Sequence, residues 1–392
     1  MGLELRLLDP AVLADPYPLL HRLRAEAPVR WDETQRVWTL ARYRDALFAL
    51  REDSIFSSAI HGGGGVLDTS SWFVFHDPPR HTRLRNLVAA AFTPAVVERL
   101  RSRVQAIVDL LLDRLAEAGT GDLVANFAFP LPAMVISDLL GVPAADLDRV
   151  KTWSADLAAL GSTVKVAADR ADRIRRAQQS AAALNDYFRH VVRHRREGRD
   201  DDLVSGLVRA QADGARLEED ELVETCTFLL FTGHETTTNL IGNGMLALLR
   251  HPDALRALHR DPDLLRSAVE ELLRFDSPVQ VRVRVVQADV EIGGRTLRRG
   301  ERVWILLGAA NRDPERFSEP DRLLLDRPDN RHVAFGYGIH FCLGAALARL
   351  EGTLAIGTLA HRFPNLQLTT DAPTWRANPT MRGLDALPVA VR

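Results

Sequence analysis

Cys342 lies in Phe335-Gly336-Tyr337-Gly338-Ile339-His340-Phe341-Cys342-Leu343-Gly344, a glycine-rich loop that runs straight into Ala345-Ala346-Leu347-Ala348-Arg349. A thiolate just ahead of a small-residue helix faces the positive end of the helix dipole, which favours the anion. The glycines let the backbone turn tightly and approach a large flat partner without Cβ clashes. A haem iron is such a partner, and cysteine thiolate is one of its proximal ligands. Two other readings stand beside this one. A buried free cysteine in a glycine-rich turn is common for a lone Cys. A cysteine hydrolase using Cys342 and His340 fails on geometry, because residues two apart on a tight loop are poorly placed as nucleophile and base.

Four more groups of residues carry possible chemistry. Phe228-Leu229-Leu230-Phe231 is apolar and is followed by Thr232-Gly233-His234-Glu235-Thr236-Thr237-Thr238. Polar residues crowded into a buried helix are costly unless they serve a purpose. Threonines that bond back to preceding carbonyls beside a glycine open the helix ladder and make room for water. His76-Asp77-Pro78-Pro79-Arg80-His81-Thr82-Arg83-Leu84-Arg85 opens a helix with proline in its first turn. His81 and Arg85 are four apart on one face and aim together at a single anion. Arg282 and Arg284 share one face of a strand. Without an anionic partner these arginines are scattered surface cations, the usual fate of the residue. Finally, Glu271 and Arg274 are three apart at the end of a helix and share a face, as many surface pairs do.

Taken together, these segments resemble the cytochrome P450 family. The Cys342 loop is similar to its haem-binding signature at Phe335, Gly336, Gly338, His340, Cys342 and Gly344. The segment around residue 235 resembles its oxygen-activation motif, in which an acid–alcohol pair relays protons; Glu235 and Thr236 are the matching pair. The family usually has Ala or Gly where Thr232 stands, and an extra hydroxyl there either narrows the site, bonds a substrate or merely bonds back within its helix. Glu271 and Arg274 match the family's structural Glu-x-x-Arg pair. His81, Arg85, Arg284 and His340 match its propionate ligands, and Arg282 is near enough in sequence to reach a propionate or a substrate carboxylate. The stretch Asn311 to Phe317, with Pro320 and Arg327, resembles a packing segment. The matched segments run from about Asp15 to Pro388, nearly the whole chain.

The resemblance implies a mainly α fold with a small β region, one domain over residues 1–392, and haem b as cofactor. It implies a monooxygenase that takes two electrons from a ferredoxin or flavodoxin-like donor with its reductase, takes dioxygen, and hydroxylates a hydrophobic small molecule. A peroxide-driven peroxygenase and a non-catalytic haem-binding protein are the rival readings. By position, the substrate pocket draws on Leu67, Trp72 and Phe73, on Trp153 to Leu160, on Phe228, Phe231 and Thr232, on Val279, Gln280 and Val281, and on Met381. Such a lining is apolar with few polar anchors. Terpenoid, steroid, macrolide and fatty-acid substrates all remain open. Arg349 is expected to attract an acidic surface of the electron donor, His234 to face away from the iron, and Cys226 to be a small core residue.

The elements that must hold these groups are legible in outline. Apolar residues at three- and four-residue spacing predict a helix-rich core over about 79–275 and 340–362, with helices at Pro94–Ala118, Leu131–Leu140, Asp172–Arg196, Glu218–Arg250 and Asp263–Phe275. Breaks at Gly119-Thr120-Gly121, Gly141-Val142-Pro143 and His251-Pro252 end them. Strand signals lie at the two ends of the chain, over about 29–50 and 279–307: a hairpin over Val29–Leu40, alternation over Val279–Val290, and a short apolar run over Arg302–Leu307. Gly293-Gly294 reads as the turn between two strands. Gly62 to Gly65 lacks a following Gly-Lys-Ser/Thr and is no phosphate loop. With 392 residues, 46% hydrophobic, 26% charged and a net charge of −2, the composition is that of an ordinary globular protein with no pull towards nucleic acid or an anionic membrane. Lysine occurs only at 151 and 165, a bias spread over the chain that reads as a coding preference. Two cysteines make no disulfide framework or zinc cluster. Neither a leader pattern nor a membrane-length apolar stretch is present, so the expectation is a cytoplasmic protein.

Overall fold

The computed structural model describes residues 7–60, 69, 71–158, 167–198, 202–212 and 218–391. A 32-residue helix, Glu219–Arg250, runs through the middle and is here the central helix. Its start is fixed by a capping box in which Glu218 and Glu221 each satisfy the other's backbone N–H. Acidic residues fill its first turn and Arg250 its last, both favourable to the helix dipole. Nearly every side chain from Leu222 to Leu248 is buried, polar ones included, so the helix is held by neighbours on all sides. Those neighbours are the helices Pro130–Leu139, Ala167–Glu197, Leu265–Phe275 and Ala345–Arg362. Close approach is bought by small residues: a Cβ at Gly352 would lie 3.0 Å from Leu240, and one at Gly244 would lie 3.2 Å from Leu272.

The predicted helices form, with shifted ends. The expected Pro94–Ala118 helix is two, Pro94–Arg99 and Arg101–Ala118, turning at Leu100. Leu265–Phe275 follows a short 3-10 turn at Pro262–Leu264. The hairpin is β1 (Val29–Asp32) and β2 (Val37–Leu40). β3 (Phe56–Ser57), β4 (Thr120–Asp122), β5 (Val281–Val286), β6 (Val290–Ile292), β7 (Arg295–Leu297), β8 (Arg302–Leu306), β9 (Gln367–Leu368) and β10 (Pro388–Ala390) complete the described strands. The main sheet has the order β1-β2-β8-β5-β3, in which only β2 and β8 run parallel. β6 and β7 pair across the Gly293-Gly294 turn, as expected.

Confining strands to the two ends of the chain was wrong. β4 sits in the helical half and pairs with β10, which also pairs with β9. A three-residue strand such as Thr-Gly-Asp has no alternation to read, and only its distant partner makes it a strand. Gly62 to Gly65 and Leu67 lie outside the described residues, as do residues 159–166, including the end of the expected pocket roof.

Candidate active site

Cys342 is set by local chain geometry. Gly336 and Gly338 have φ of 72° and 71°, and a Cβ at Gly338 would lie 2.8 Å from the carbonyl oxygen of Leu50, so both turns require glycine. The Cys342 amide donates to the Phe335 carbonyl at 2.9 Å, closing the loop before the helix Ala345–Arg362 begins. The loop faces a cavity with about 1670 Å³ of space free of protein atoms, part of it open to solvent.

One wall of that cavity is the Cys342 loop, with Phe335, His340, Cys342 and Gly344. The opposite wall is the central helix, with Phe231, Thr232, Glu235 and Thr236. Trp72, Phe73, Val279 and Met381 line it as the sequence led us to expect. Gln280 does not. Just ahead of β5, it turns away from the cavity; its Nε2 donates to the Ser277 carbonyl at 2.8 Å and its side chain packs on Gly308. Trp153 packs against the core and is not on the cavity wall.

The cations gather at one end. Arg85 and Arg282 line the cavity, while His81 and Arg284 lie buried just behind, 2% and 6% exposed. The His81 and His340 rings are 4.3 Å apart, and none of their four ring nitrogens has a partner among the described residues. Burial, with Arg284, His81, Arg85 and Arg282 around it, pushes His340 down to about 2. Burial and then Arg282 push Arg284 down to about 10, against Asp77. Arg282 makes no ion pair with the described residues. Arg85 and Arg284 each donate to a backbone carbonyl, but among the described residues none of these cations faces a carboxylate that would balance its charge, and anionic groups between them would do so. A flat ligand with an apolar ring, two carboxylates and a metal for Cys342 matches this donor set, so the residues present fit a haem.

At the thiol, burial pushes the pKa up, against Arg282, the Gly344 amide, Arg85 and Arg349. A metal cation draws off the proton of a coordinating thiol outright.

On the central helix, Thr232 Oγ1 donates to the Phe228 carbonyl at 2.8 Å, and Thr236 Oγ1 donates to that of Thr232 at 3.4 Å. Thr232 both bonds back within its helix and lines the cavity. His234 faces away: its Nδ1 lies 2.9 Å from the Leu230 carbonyl and its Nε2 lies 3.3 Å from Ser154 Oγ. Cys226 is fully buried in the core. Sequence reasoning missed two charged groups. Arg376, from the C-terminal segment, hydrogen-bonds Glu235. Glu351, on the helix that follows Cys342, lines the cavity with Oε2 unpartnered, and burial pushes its carboxyl well above the usual range.

Behind the site, Glu271 and Arg274 are wholly buried and paired at 2.8 Å. Arg327 joins them at 3.0 Å and the Leu324 amide at 2.9 Å, which ties the helix Leu265–Phe275 to the segment before the cysteine. Arg349 is bound by Glu270 at 2.6 and 2.8 Å, so its charge is largely spent inside the molecule. Burial opposes ionisation of Glu270, but Arg349 and His332 hold it down to about 2.

A thiol opposite an acid–alcohol pair, with cations at one end of the cavity between them, defines a haem-thiolate site. The family model for cytochrome P450 matches residues 31–383. Cytochrome P450 107B1 of Saccharopolyspora erythraea is 42% identical over 98% of this chain and 97% of its own. Cytochrome P450 monooxygenase PikC of Streptomyces venezuelae is 42% identical over 100% and 94%. The crystal structure of CYP109E1 from Bacillus megaterium in complex with testosterone superposes with a TM-score of 0.91 at 33% identity, covering 98% of this chain and 100% of that one. The chain belongs to the cytochrome P450 family, and it is an oxidoreductase of the monooxygenase type. Among the described residues no helix is long and apolar enough to cross a membrane.

Proposed function

We propose that the chain binds haem b through Cys342 and hydroxylates a hydrophobic small molecule, with two electrons from a ferredoxin or flavodoxin-like donor and dioxygen from solution. The observation that supports it is that Cys342 and the pair Glu235–Thr236 line one cavity. His81, Arg85, Arg284 and His340 hold the propionates, with Phe335 and Gly344 beside the ring. When bound, the haem supplies the oxygen activation and electron transfer that no side chain can provide.

The remaining work falls to this chain. Trp72, Phe73, Phe231, Val279 and Met381 exclude water and hold an apolar substrate. Thr232 and Thr236 present hydroxyls to the same space, and Glu235 brings protons to Thr236 from outside it. Retention of that acid–alcohol pair favours dioxygen over peroxide as oxidant. In the CYP109E1 structure the ligand is testosterone; steroids therefore head the substrate panel, with terpenoids, macrolides and fatty acids beside them.

Titrating the haem-loaded protein against that panel tests the reading. A low-to-high-spin shift, followed by product with a reductase system, supports it. Turnover with peroxide alone would favour a peroxygenase, and a normal thiolate spectrum without product under any condition would favour a haem-binding protein without catalysis.

A further inference from the structure

Glu235 has a partner that the reading above leaves unused. Arg376 Nη1 donates to Glu235 Oε1, and the side chains of this ion pair are 25% and 7% exposed. Arg376 Nε lies 3.8 Å from Asp385 Oδ1, whose side chain is 60% exposed. One guanidinium thus stands between an inner carboxylate and an outer one.

Two further features meet at the same place. A crevice with about 460 Å³ of atom-free space is lined by Trp375, Arg376 and Gly383 together with Leu13 and Pro16 near the start of the chain. Glu235 lines the main cavity on the other side of Arg376. One turn beyond Glu235, Asn239 is 2% exposed, and neither its Oδ1 nor its Nδ2 has a partner among the described residues. Asn239 lies hard against Gly383, where a Cβ would come within 2.0 Å of Asn239 Oδ1. A buried amide with both polar ends unmet is a site for water, and this one lies one turn from Glu235 and against Gly383 of the crevice wall.

We propose that Arg376 is a positioning residue that latches Glu235, swinging to Asp385 to let Glu235 take protons from water entering along the crevice past Gly383 and Asn239. This rests on the monooxygenase reading of the site. Each proton comes from bulk water, is held on the Glu235 carboxyl and passes towards Thr236; the guanidinium keeps its own proton throughout. The latch is built into the substrate wall. Arg376 N donates to the Gly383 carbonyl at 3.0 Å, and between them the Asn378 side chain accepts from the amides of Thr380 and Met381, each at 3.0 Å. Thr380 and Met381 line the main cavity, so a substrate pressing on them loads the same turn that carries Arg376.

The test uses the haem-loaded chain with a reductase system and the ligand that gives the largest spin shift. Asp385→Asn leaves the guanidinium nowhere to go. It should slow product formation about three- to tenfold and raise the solvent deuterium isotope effect, with ligand Kd and haem content within about twofold of wild type. Arg376→Gln is permanently released; it should lower the isotope effect and divert more electrons to peroxide, and Arg376→Lys should restore part of the wild-type balance. A tie that is only structural would cost stability and leave the isotope effects alone. An unchanged isotope effect in Asp385→Asn, or shifts of the same sign in the two variants, overturns the latch. Thermal unfolding of Glu235→Gln, Arg376→Gln and the double variant reads the pair without turnover: non-additive losses establish the ion pair that the latch requires, and additive ones overturn the latch. Absence of product from the wild type instead sinks the monooxygenase reading itself, whereas failure of the latch alone leaves wild-type product intact.

Discussion

Thr236 and Glu351 show how differently two polar groups in one cavity behave. Thr236 has only a long 3.4 Å bond to the Thr232 carbonyl, so its hydroxyl is easily turned to another partner. Thr236→Ala should keep haem and ligand binding but lower product formed per electron pair by about tenfold or more, the balance appearing as peroxide; wild-type coupling would contradict the role given to it. Glu351 is 1% exposed with no compensating charge, and burial pushes its carboxyl well above the usual range. Its folded-state pKa is raised, so its contribution to stability is present in full below the ordinary carboxyl value of 4.5 and fades as pH rises from there through the raised value. In Glu351→Gln that fall should flatten, which Tm measured against pH will show. The motif around Cys342 was readable because loop chemistry is local. Arg376 was not: it is 141 residues from Glu235, and arginine is common everywhere in this chain.

At the scale of elements, the helix Leu265–Phe275 is fastened by charge. Glu271 accepts from Arg274, Arg327, Asn330 and the Leu324 amide, so the carboxylate is fully satisfied only in the folded state. Burial penalises the charge, but the two guanidinia outweigh it and hold the carboxyl below its usual range. Arg274→Met removes one of the two guanidinia from a buried carboxylate and should cost about 3–5 kcal/mol, measured by urea unfolding of the haem-loaded protein. The pair was visible in the sequence as a spacing, and its burial was not. The same limit explains Gln280. Alternation over Val279–Val290 yields β5 only at Val281–Val286, and the direction Gln280 takes just ahead of it depends on its contacts with Ser277 and Gly308.

For the whole molecule, the cationic end of the cavity ties stability to the cofactor. Arg85, Arg282 and Arg284 come from a helix and a strand distant in sequence and repel one another until carboxylates lie between them. Haem-free protein should unfold at a lower temperature than haem-loaded protein. Added salt should recover part of that difference by screening the repulsion, while changing the loaded form little. A differential scan of both forms at low and high ionic strength checks this; parallel salt responses would argue against the charge account.

The sequence by itself determined the cysteine loop, the polar stretch in an apolar helix, the helical periods and their breaks, because each rests on contacts within a few turns of chain. Resemblance then joined these pieces in the right order. Only the tertiary structure decided which side chains share the cavity, that Gln280 turns away from it, that β4 finds β10, that Arg349 is spent on Glu270, and that Arg376 holds Glu235. Those facts depend on register, burial and pairings that mostly join residues far apart in the chain, and no local propensity encodes them.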